Sequence, residues 1–391
     1  MHIVEIPSFF PPYGGEFCIE QSKALQTFGH EVRIISNVQL SVKRSVREFL
    51  TLPYDRRFIE IEGIPDYQSY MRGIPKVIRP NVERWVRIVR EMFRTYMKRY
   101  GKPDILHAHC AKWAGYAAML MAREFDIPYV ITEHLPFMIF KEEFGSEGAD
   151  AWQVPLLREA YHHADRVIPV SEEVVTDLAP FFGHDYHWTA VSNVIDVDFF
   201  AYRKRPPRDG RPFRFCCIGN FIYRKGYDVL FKAFRLLSET NPEIELHIAG
   251  AGTDSSACQQ AMHRLGGHTK IVAHGCIDRE SVRSLLYDSD AMVLATRDET
   301  QGLVLLEAMS TGIPVVTTEA VPQCVRITGG CWVAPVDDDK AFCAMMRQVM
   351  EDRGDQRETV SRRVGAMASP SVIANRLTQI FQECIEARQS V

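Results

Sequence analysis

Short apolar segments alternate with helical patterns along this chain, and the alternation runs twice through its 391 residues. Parallel strands need a crossover connection, usually a helix, so this order favours parallel sheets covered by helices. The predicted strands occupy residues 2–6, 31–36, 104–108, 129–132, 166–170 and 189–191, and then 213–219, 245–249, 271–274, 291–295 and 315–318. The sequence therefore predicts an α/β protein in which two doubly wound, Rossmann-like domains face a cleft.

A change of composition separates the two series of strands. Residues 199–212 are rich in arginine and proline and carry no periodic apolar pattern. Segments of this kind are typical of domain boundaries. We therefore predict an N-terminal domain at residues 1–197, a linker at 198–212 and a C-terminal domain at 213–370.

Two neighbouring segments depart from the alternation. Residues 38–80 hold several glycines and prolines and are predicted to be irregular and exposed. Residues 82–99 are predicted to form an amphipathic helix with arginines opposite its apolar face. Residues 43–102 contain 15 basic and seven acidic residues. This helix either packs on its sheet with a solvated basic face, or its basic patch meets anionic lipid or a phosphate-bearing acceptor.

Composition excludes several classes of protein. The net charge of −4 argues against a general nucleic-acid-binding protein. The ten cysteines form no Cys-x-x-Cys pair and no cluster with zinc spacing, which favours reduced thiols. The N-terminus has the pattern of a strand rather than of a signal peptide. We expect a cytoplasmic protein, with work at the inner face of the membrane as the alternative that the basic patch leaves open.

One stretch, residues 296–316, combines a polar loop with an apolar helix that stops at Gly312. Glu299 lies in the loop and Glu307 inside the helix. A glutamate in so apolar a helix is costly to bury without a partner, so Glu307 either bonds a hydroxyl-rich ligand or caps a backbone group. The N–H groups at the helix start form a natural phosphate site, around the segment that holds Gln301, Gly302 and Leu303.

Candidate polar groups also follow the predicted strands of the first domain. Gly14 and Gly15 follow the first strand, where they form either a tight turn or a close approach of the backbone to a ligand. The loop is not Gly-x-Gly-x-x-Gly, which disfavours a nicotinamide dehydrogenase. His109 and His134 end two later strands and predict a polar pocket. No carboxylate or cysteine pattern completes a zinc site with them, so no metal is expected.

The second domain opens with a loop between Gly219 and a predicted helix at 227–237. It contains Asn220, Arg224 and Lys225, and a lysine at this edge either neutralises a diphosphate or is simply solvated. Gly250 ends the next strand.

These motifs together resemble glycosyltransferase family 4, whose members are retaining nucleotide-sugar transferases of GT-B fold. The resemblance rests on the two glutamates at their spacing, the following Ala-Met-x-x-Gly-x-Pro-Val-Val run, the Pro-x-x-Gly-Gly-x-Glu loop and Lys225-Gly226. It implies a last helix, at 371–391, that returns to the first domain. It implies a nucleotide-diphosphate sugar as co-substrate, UDP- or GDP-linked, with no cofactor and no metal. The implied acceptor is a glycan, a glycolipid or a polysaccharide precursor of the cell envelope.

The resemblance also assigns roles residue by residue. It implies catalytic roles for His134, Glu299 and Lys225, and an acceptor side formed by Gly14, Gly15 and His109. The residues implied to bind the donor or its nucleotide are Gly15, Gly219, Asn220, Arg224, Lys225, Gly250, Gln301, Gly302, Leu303 and Glu307.

Asn220 is the main departure, because the family has an arginine there that contacts the leaving phosphates. Arg224 is the nearest replacement in the sequence. Two alternatives stay open. One is a non-catalytic nucleotide-sugar binder or partner subunit, which the missing arginine makes less remote, and the other is a GT-B epimerase.

Overall fold

The computed structural model of the chain describes residues 1–43, 45–145, 151–205, 210–265 and 270–390. The chain forms two compact units. The first contains residues 1–194 and the C-terminal segment from Pro370, and the second contains residues 195–369.

A largely parallel sheet forms the centre of the first unit. In the described residues its strands are β1 (His2–Pro7), β2 (Glu31–Leu40), β3 (Arg57–Ile61), β4 (Ile64–Arg72), β5 (Ile105–His109), β6 (Tyr129–Glu133) and β7 (Arg166–Pro169). They lie in the order β3-β4-β2-β1-β5-β6-β7, and only β3 runs antiparallel to its neighbour. The parallel strands therefore all end at one edge, which carries the loops that follow β1, β5 and β6.

Helices cover this sheet. They are α1 (Glu16–Thr27), α2 (Val46–Thr51), α3 (Ile78–Tyr100), α4 (Tyr116–Phe125), α5 (Phe137–Phe144), α6 (Gln153–His162) and α7 (Glu173–Phe182). Helix α3 corresponds to the amphipathic helix predicted at 82–99. Its apolar face is buried in the core of the unit, and Arg90 and Arg94 pair with Glu124. The apolar face is thus covered by protein, and contact of the basic face with an anionic membrane stays a prediction.

Two predictions for this unit were wrong. Residues 38–80 are not irregular, because they contain α2, β3 and β4. The polar residues of β4 obscured the strand pattern, yet they are buried, and Asp66 accepts a hydrogen bond from Ser36 at 2.8 Å. Residues 189–191 are not a strand. That segment runs beside β7, and the N–H groups of Thr189 and Val191 donate to the carbonyls of Val167 and Pro169. Within the described residues, the pairing is classed only as an isolated bridge, between Val167 and Trp188.

The second unit holds a sheet in which all strand pairs are parallel. Its strands, within the described residues, are β8 (Phe213–Ile218), β9 (Ile244–Ala249), β10 (Ile271–Ala273), β11 (Ala291–Leu294), β12 (Val315–Thr318) and β13 (Cys331–Ala334). The order is β10-β9-β8-β11-β12-β13. The helices are α8 (Tyr227–Ser238), α9 (Ser256–His263), α10 (Arg279–Asp288), α11 (Leu303–Thr311), α12 (Asp339–Met350) and α13 (Arg357–Ala368).

The described part of the predicted linker packs on the second unit. Phe200 is fully buried in its core. Arg205 donates to the backbone carbonyls of Ser289 and Leu286. The compact unit therefore begins at Ile195 rather than at 213, because Phe200 is buried in its core and Arg205 donates to the end of α10.

The final helix, α14 (Pro370–Gln389), belongs to the first unit, as the family resemblance implied. Its apolar residues Ile373, Leu377 and Phe381 lie in a cluster with Ile3 and Leu25. Across the described residues, no helix combines the length and apolar character needed to span a membrane.

Candidate functional site

Two loops of the second unit meet at one carboxylate. The loops follow the neighbouring strands β8 and β11. Glu299 is 9% exposed and forms a close ion pair with the ammonium of Lys225. Arg224 Nη1 lies 3.9 Å from the other oxygen of Glu299 and donates to the carbonyl of Asp298 at 3.0 Å. The structure thus brings Glu299 to the adjacent residues Arg224 and Lys225, which lie in a distant part of the sequence, and both cations approach its carboxylate.

Asn220 has a different partner. Its side-chain oxygen accepts a hydrogen bond from the backbone N–H of Ala251 at 3.1 Å. Asn220 therefore ties the loop after β8 to the loop after β9. It supplies no charge, and the second cation at Glu299 comes from Arg224.

Glycine is required at two positions in these loops. A Cβ at Gly250 would lie 2.3 Å from the carbonyl oxygen of Gly219, and one at Gly226 would lie 1.8 Å from that of Ala295. Gly219 itself is less constrained, because its Cβ would meet only ordinary contacts, at 3.7 Å or more. Close backbone packing therefore explains why Gly226 and Gly250 are glycines, but it does not explain Gly219.

The start of α11 lies directly after Glu299. Gly302 takes the left-handed conformation, with φ of 77°, and as the residue before the helix it offers no side-chain cap. The first turn of the helix contains no acidic residue. N–H groups of an uncapped first turn attract anions. Gln301 is buried, and Glu307 is partly buried one turn into the helix.

The first unit contains a buried polar network that the sequence revealed only in part. Glu5, in the middle of β1, lies opposite His107 of β5. One oxygen of Glu5 lies 2.8 Å from His107 Nδ1 and 2.8 Å from His109 Nε2. His109 Nδ1 lies 3.1 Å from His134 Nε2. Glu5 was missed as a site residue; the available signal was a charged residue inside an apolar strand.

The carboxylate of Glu5 determines which ring nitrogens of this network carry a proton. As an acceptor it requires a proton on His109 Nε2, which leaves His109 Nδ1 to accept from His134 Nε2. Burial alone would raise the pKa of Glu5, but the adjacent imidazoles hold that pKa well below its usual range. Burial lowers the pKa of His109, and burial together with His109 and His107 lowers that of His134. His134 is therefore a neutral, oriented imidazole.

The same network contains residue types that bind metal ions. Among the described residues, Glu5, His107 and His109 form a group whose ligand atoms lie within 4.8 Å of one another. The contact between His109 Nε2 and Glu5 is a hydrogen bond of 2.8 Å, which orders these two groups without a metal. The absence of a metal from this network stays a prediction.

The first loop reaches this network. Phe17, at the start of α1, stacks on the ring of His134 with centroids 3.7 Å apart. Gly15 has φ of 92°, and a Cβ there would lie 2.2 Å from the carbonyl oxygen of Phe9. Gly14 has open space around it. The predicted residues Gly14, Gly15, His109 and His134 thus lie in one region of the first unit.

We expect the stability contributed by His134 to depend on pH. Its pKa is lowered in the folded state, so the unfolded chain takes up the proton more readily. The contribution of His134 to stability is complete above about pH 6.5, the pKa of histidine in the unfolded chain, and is lost as the pH falls below that value. The gap in free energy of unfolding between the wild type and His134→Gln should shrink by about 1 kcal/mol from about pH 7.5 to about pH 5.5.

Urea titrations across this pH range measure the gap. The exposed His184 provides a matched control, since His184→Gln should leave a gap near zero at every pH. A constant gap for His134→Gln would contradict the assignment of a buried, neutral imidazole.

Comparisons with known proteins show the family and the fold. The family model "Glycosyltransferase Family 4" matches residues 14–199, and "Glycosyl transferases group 1" matches residues 198–364. A glycogen synthase of Mycobacterium tuberculosis is 31% identical over 262 residues, which cover 65% of this chain and 62% of that relative.

Solved structures share the fold. The sucrose-phosphate synthase of Thermosynechococcus elongatus aligns over 99% of this chain and 100% of its own, with a TM-score of 0.78 and 19% identity. Anabaena HepE in complex with UDP and glucose aligns over 98% of this chain and 99% of its own, with a TM-score of 0.69 and 17% identity. The two family models adjoin and span residues 14–364, so the chain belongs to the family 4, group 1 glycosyltransferases of GT-B fold.

Proposed function

We propose that the protein is a retaining hexosyltransferase that moves a sugar from a nucleotide-diphosphate sugar to a glycan, glycolipid or polysaccharide-precursor acceptor. The observation that carries this proposal is the convergence of Lys225 and Arg224 on Glu299, next to the uncapped start of α11. Two cations and a set of free N–H groups are what a leaving diphosphate requires. A related fold that holds UDP and glucose supports the same assignment.

The donor is assigned to the second unit. The diphosphate is neutralised by Lys225, Arg224 and the first turn of α11. A diphosphate that takes over the ammonium of Lys225 leaves Glu299 to accept hydrogen bonds from hydroxyls of the donor sugar. Glu307 accepts hydrogen bonds from the ribose.

In the transfer step, one bond to the anomeric carbon of the donor sugar forms and one breaks. The acceptor oxygen forms a bond to the anomeric carbon on the face from which the bond to the phosphate oxygen breaks. The acceptor proton passes to the leaving phosphate oxygen, and fixed positive charge stabilises the diphosphate. We assign no protein nucleophile, because Glu299 is held by Lys225 and, once the diphosphate takes over that ammonium, by hydroxyls of the donor sugar. His134, being neutral and oriented, is a hydrogen-bonding group on the acceptor side and not a charged acid.

Nucleotide binding tests this proposal. Melting temperatures are measured with UDP, GDP, dTDP and CMP. A nucleotide present at about 100 times its dissociation constant stabilises the folded state by about 2.7 kcal/mol, which raises the melting temperature by several degrees. We expect one nucleoside diphosphate to give such a shift. If none of the four shifts the transition, the proposal fails.

A non-catalytic binder is the second candidate, because Asn220 supplies no charge to the diphosphate site. A binder would show the nucleotide shift but would transfer no sugar to any acceptor. An epimerase would instead convert a nucleotide sugar in the absence of an acceptor. Product analysis with and without acceptor separates the three activities.

We expect transfer to continue without divalent ions. Lys225, Arg224 and helix N–H groups supply the positive potential that a metal would otherwise provide. Initial rates with the preferred donor should be the same before and after treatment with EDTA. Loss of activity in the chelator, with recovery on addition of Mg²⁺ or Mn²⁺, would refute this part of the proposal.

A further inference from the structure

A cavity of about 670 Å³ opens at the carboxyl edge of the sheet in the first unit. It is formed by the loop after β1, the ends of β2 and β4, and the segments after β5 and β6. Cavities of this size accommodate small organic ligands, and this edge of a parallel sheet is where such ligands bind.

Positive charge dominates the wall of the cavity. Lys43, Lys76 and Lys112 line it, and the one carboxylate in the described wall is that of Glu143. Glu143 forms a close ion pair with Lys112, so its charge is already balanced. Within the described part of the chain, no carboxylate lies within 4.0 Å of the ammonium of Lys43 or Lys76. The wall therefore retains two uncompensated cations.

The loop that carries Lys76 is held in place. The side chain of Asn81, which is buried, accepts from the N–H of Ile74 at 2.9 Å and donates to its carbonyl at 2.8 Å. Lys76 itself takes a left-handed backbone conformation, with φ of 63°. Helix α3 begins two residues later with no acidic residue in its first turn and no side-chain cap. Its partial positive charge adds to that of the lysines.

The rest of the wall is largely aromatic or aliphatic. Tyr13 and Trp113 line the cavity and are partly exposed. Ile74, Val77 and Ile78, which flank Lys76, are 36–55% exposed. A ligand that fits this wall carries an anionic group next to a sugar ring or an apolar group.

We propose that this cavity binds an acceptor that carries a phosphate group, with the phosphate held by Lys43 and Lys76. That the bound compound is the acceptor of the reaction rests on the function proposed above. That the cavity binds a phosphorylated compound does not depend on that function. The acceptor's remaining part lies against Tyr13 and Trp113. Two sources share this chemistry, a soluble sugar phosphate and a lipid-linked phosphate.

Binding is measured on the full chain saturated with its preferred nucleoside diphosphate, so that the donor region is occupied. Glucose 6-phosphate is titrated by calorimetry for the soluble source. Phosphatidylcholine vesicles with and without a polyprenyl phosphate are used in flotation for the lipid source. The variant is Lys43→Ala/Lys76→Ala. The control is Lys98→Ala/Lys102→Ala, which removes the same charge from exposed positions outside the cavity.

We expect the cavity variant to weaken binding of one phosphorylated probe by tenfold or more, with the control unchanged. The probe that responds identifies the source. Glucose should not compete, since it lacks the phosphate. Equal binding by the cavity variant and the control, or no binding of either probe by the wild type, would overturn the proposal. The nucleotide shift is read in the same samples, so a failure of the proposed function is seen separately.

Discussion

Replacing Lys225 by methionine should lower kcat/KM for sugar transfer by about 10²–10³-fold. Methionine keeps the aliphatic stem but removes the charge that we assign to the leaving diphosphate. It also leaves Glu299, only 9% exposed, without its closest cation, so the melting temperature should fall. Rates are therefore measured at a temperature where the variant is fully folded.

A double variant separates the two effects. Lys225→Met/Glu299→Gln removes the uncompensated carboxylate and should recover the melting temperature but not the activity. The exposed Lys232 on α8 is the control, and Lys232→Met should change neither. If the double variant regained wild-type rates, Lys225 would be a purely structural partner of Glu299.

Arg224→Gln should lower kcat/KM by about 10- to 100-fold, because it removes the second cation at Glu299. Restoring an arginine at the family position should then compensate. We expect Asn220→Arg in the Arg224→Gln background to recover most of the lost activity, measured as initial rates with the preferred donor.

The exposed Arg235 of α8 provides the control, since Arg235→Gln removes the same charge outside the site. Asn220→Arg alone should have a small effect, because Arg224 is still present. Failure of the double variant to exceed Arg224→Gln would show that Arg224 does not replace the missing arginine.

The sequence predicted most strands of both sheets, since apolar runs between helical patterns are a strong signal. It did not predict β4, whose buried polar residues break the apolar pattern although partners inside the unit satisfy them. The arginines near 205 suggested a linker because sequence composition cannot distinguish a solvated arginine from one that donates to a helix end.

The candidate site was predicted as separate motifs, and the structure supplied their geometry. The direction of the Arg224 side chain depends on how the loops after β8 and β11 pack, which no local pattern encodes. Glu5 was missed because a single charged residue in a strand has no spacing to recognise. Its role appears only when β1 and β5 are paired and set it opposite His107.

The central claim is that Lys225 and Arg224 hold the second phosphate of the donor nucleotide. Calorimetric affinities of the preferred nucleoside diphosphate and of its monophosphate test it directly, in the wild type and in Arg224→Gln/Lys225→Met. We predict that the wild type prefers the diphosphate by tenfold or more and that the variant binds both nucleotides about equally. A variant that kept the wild-type preference would contradict the account.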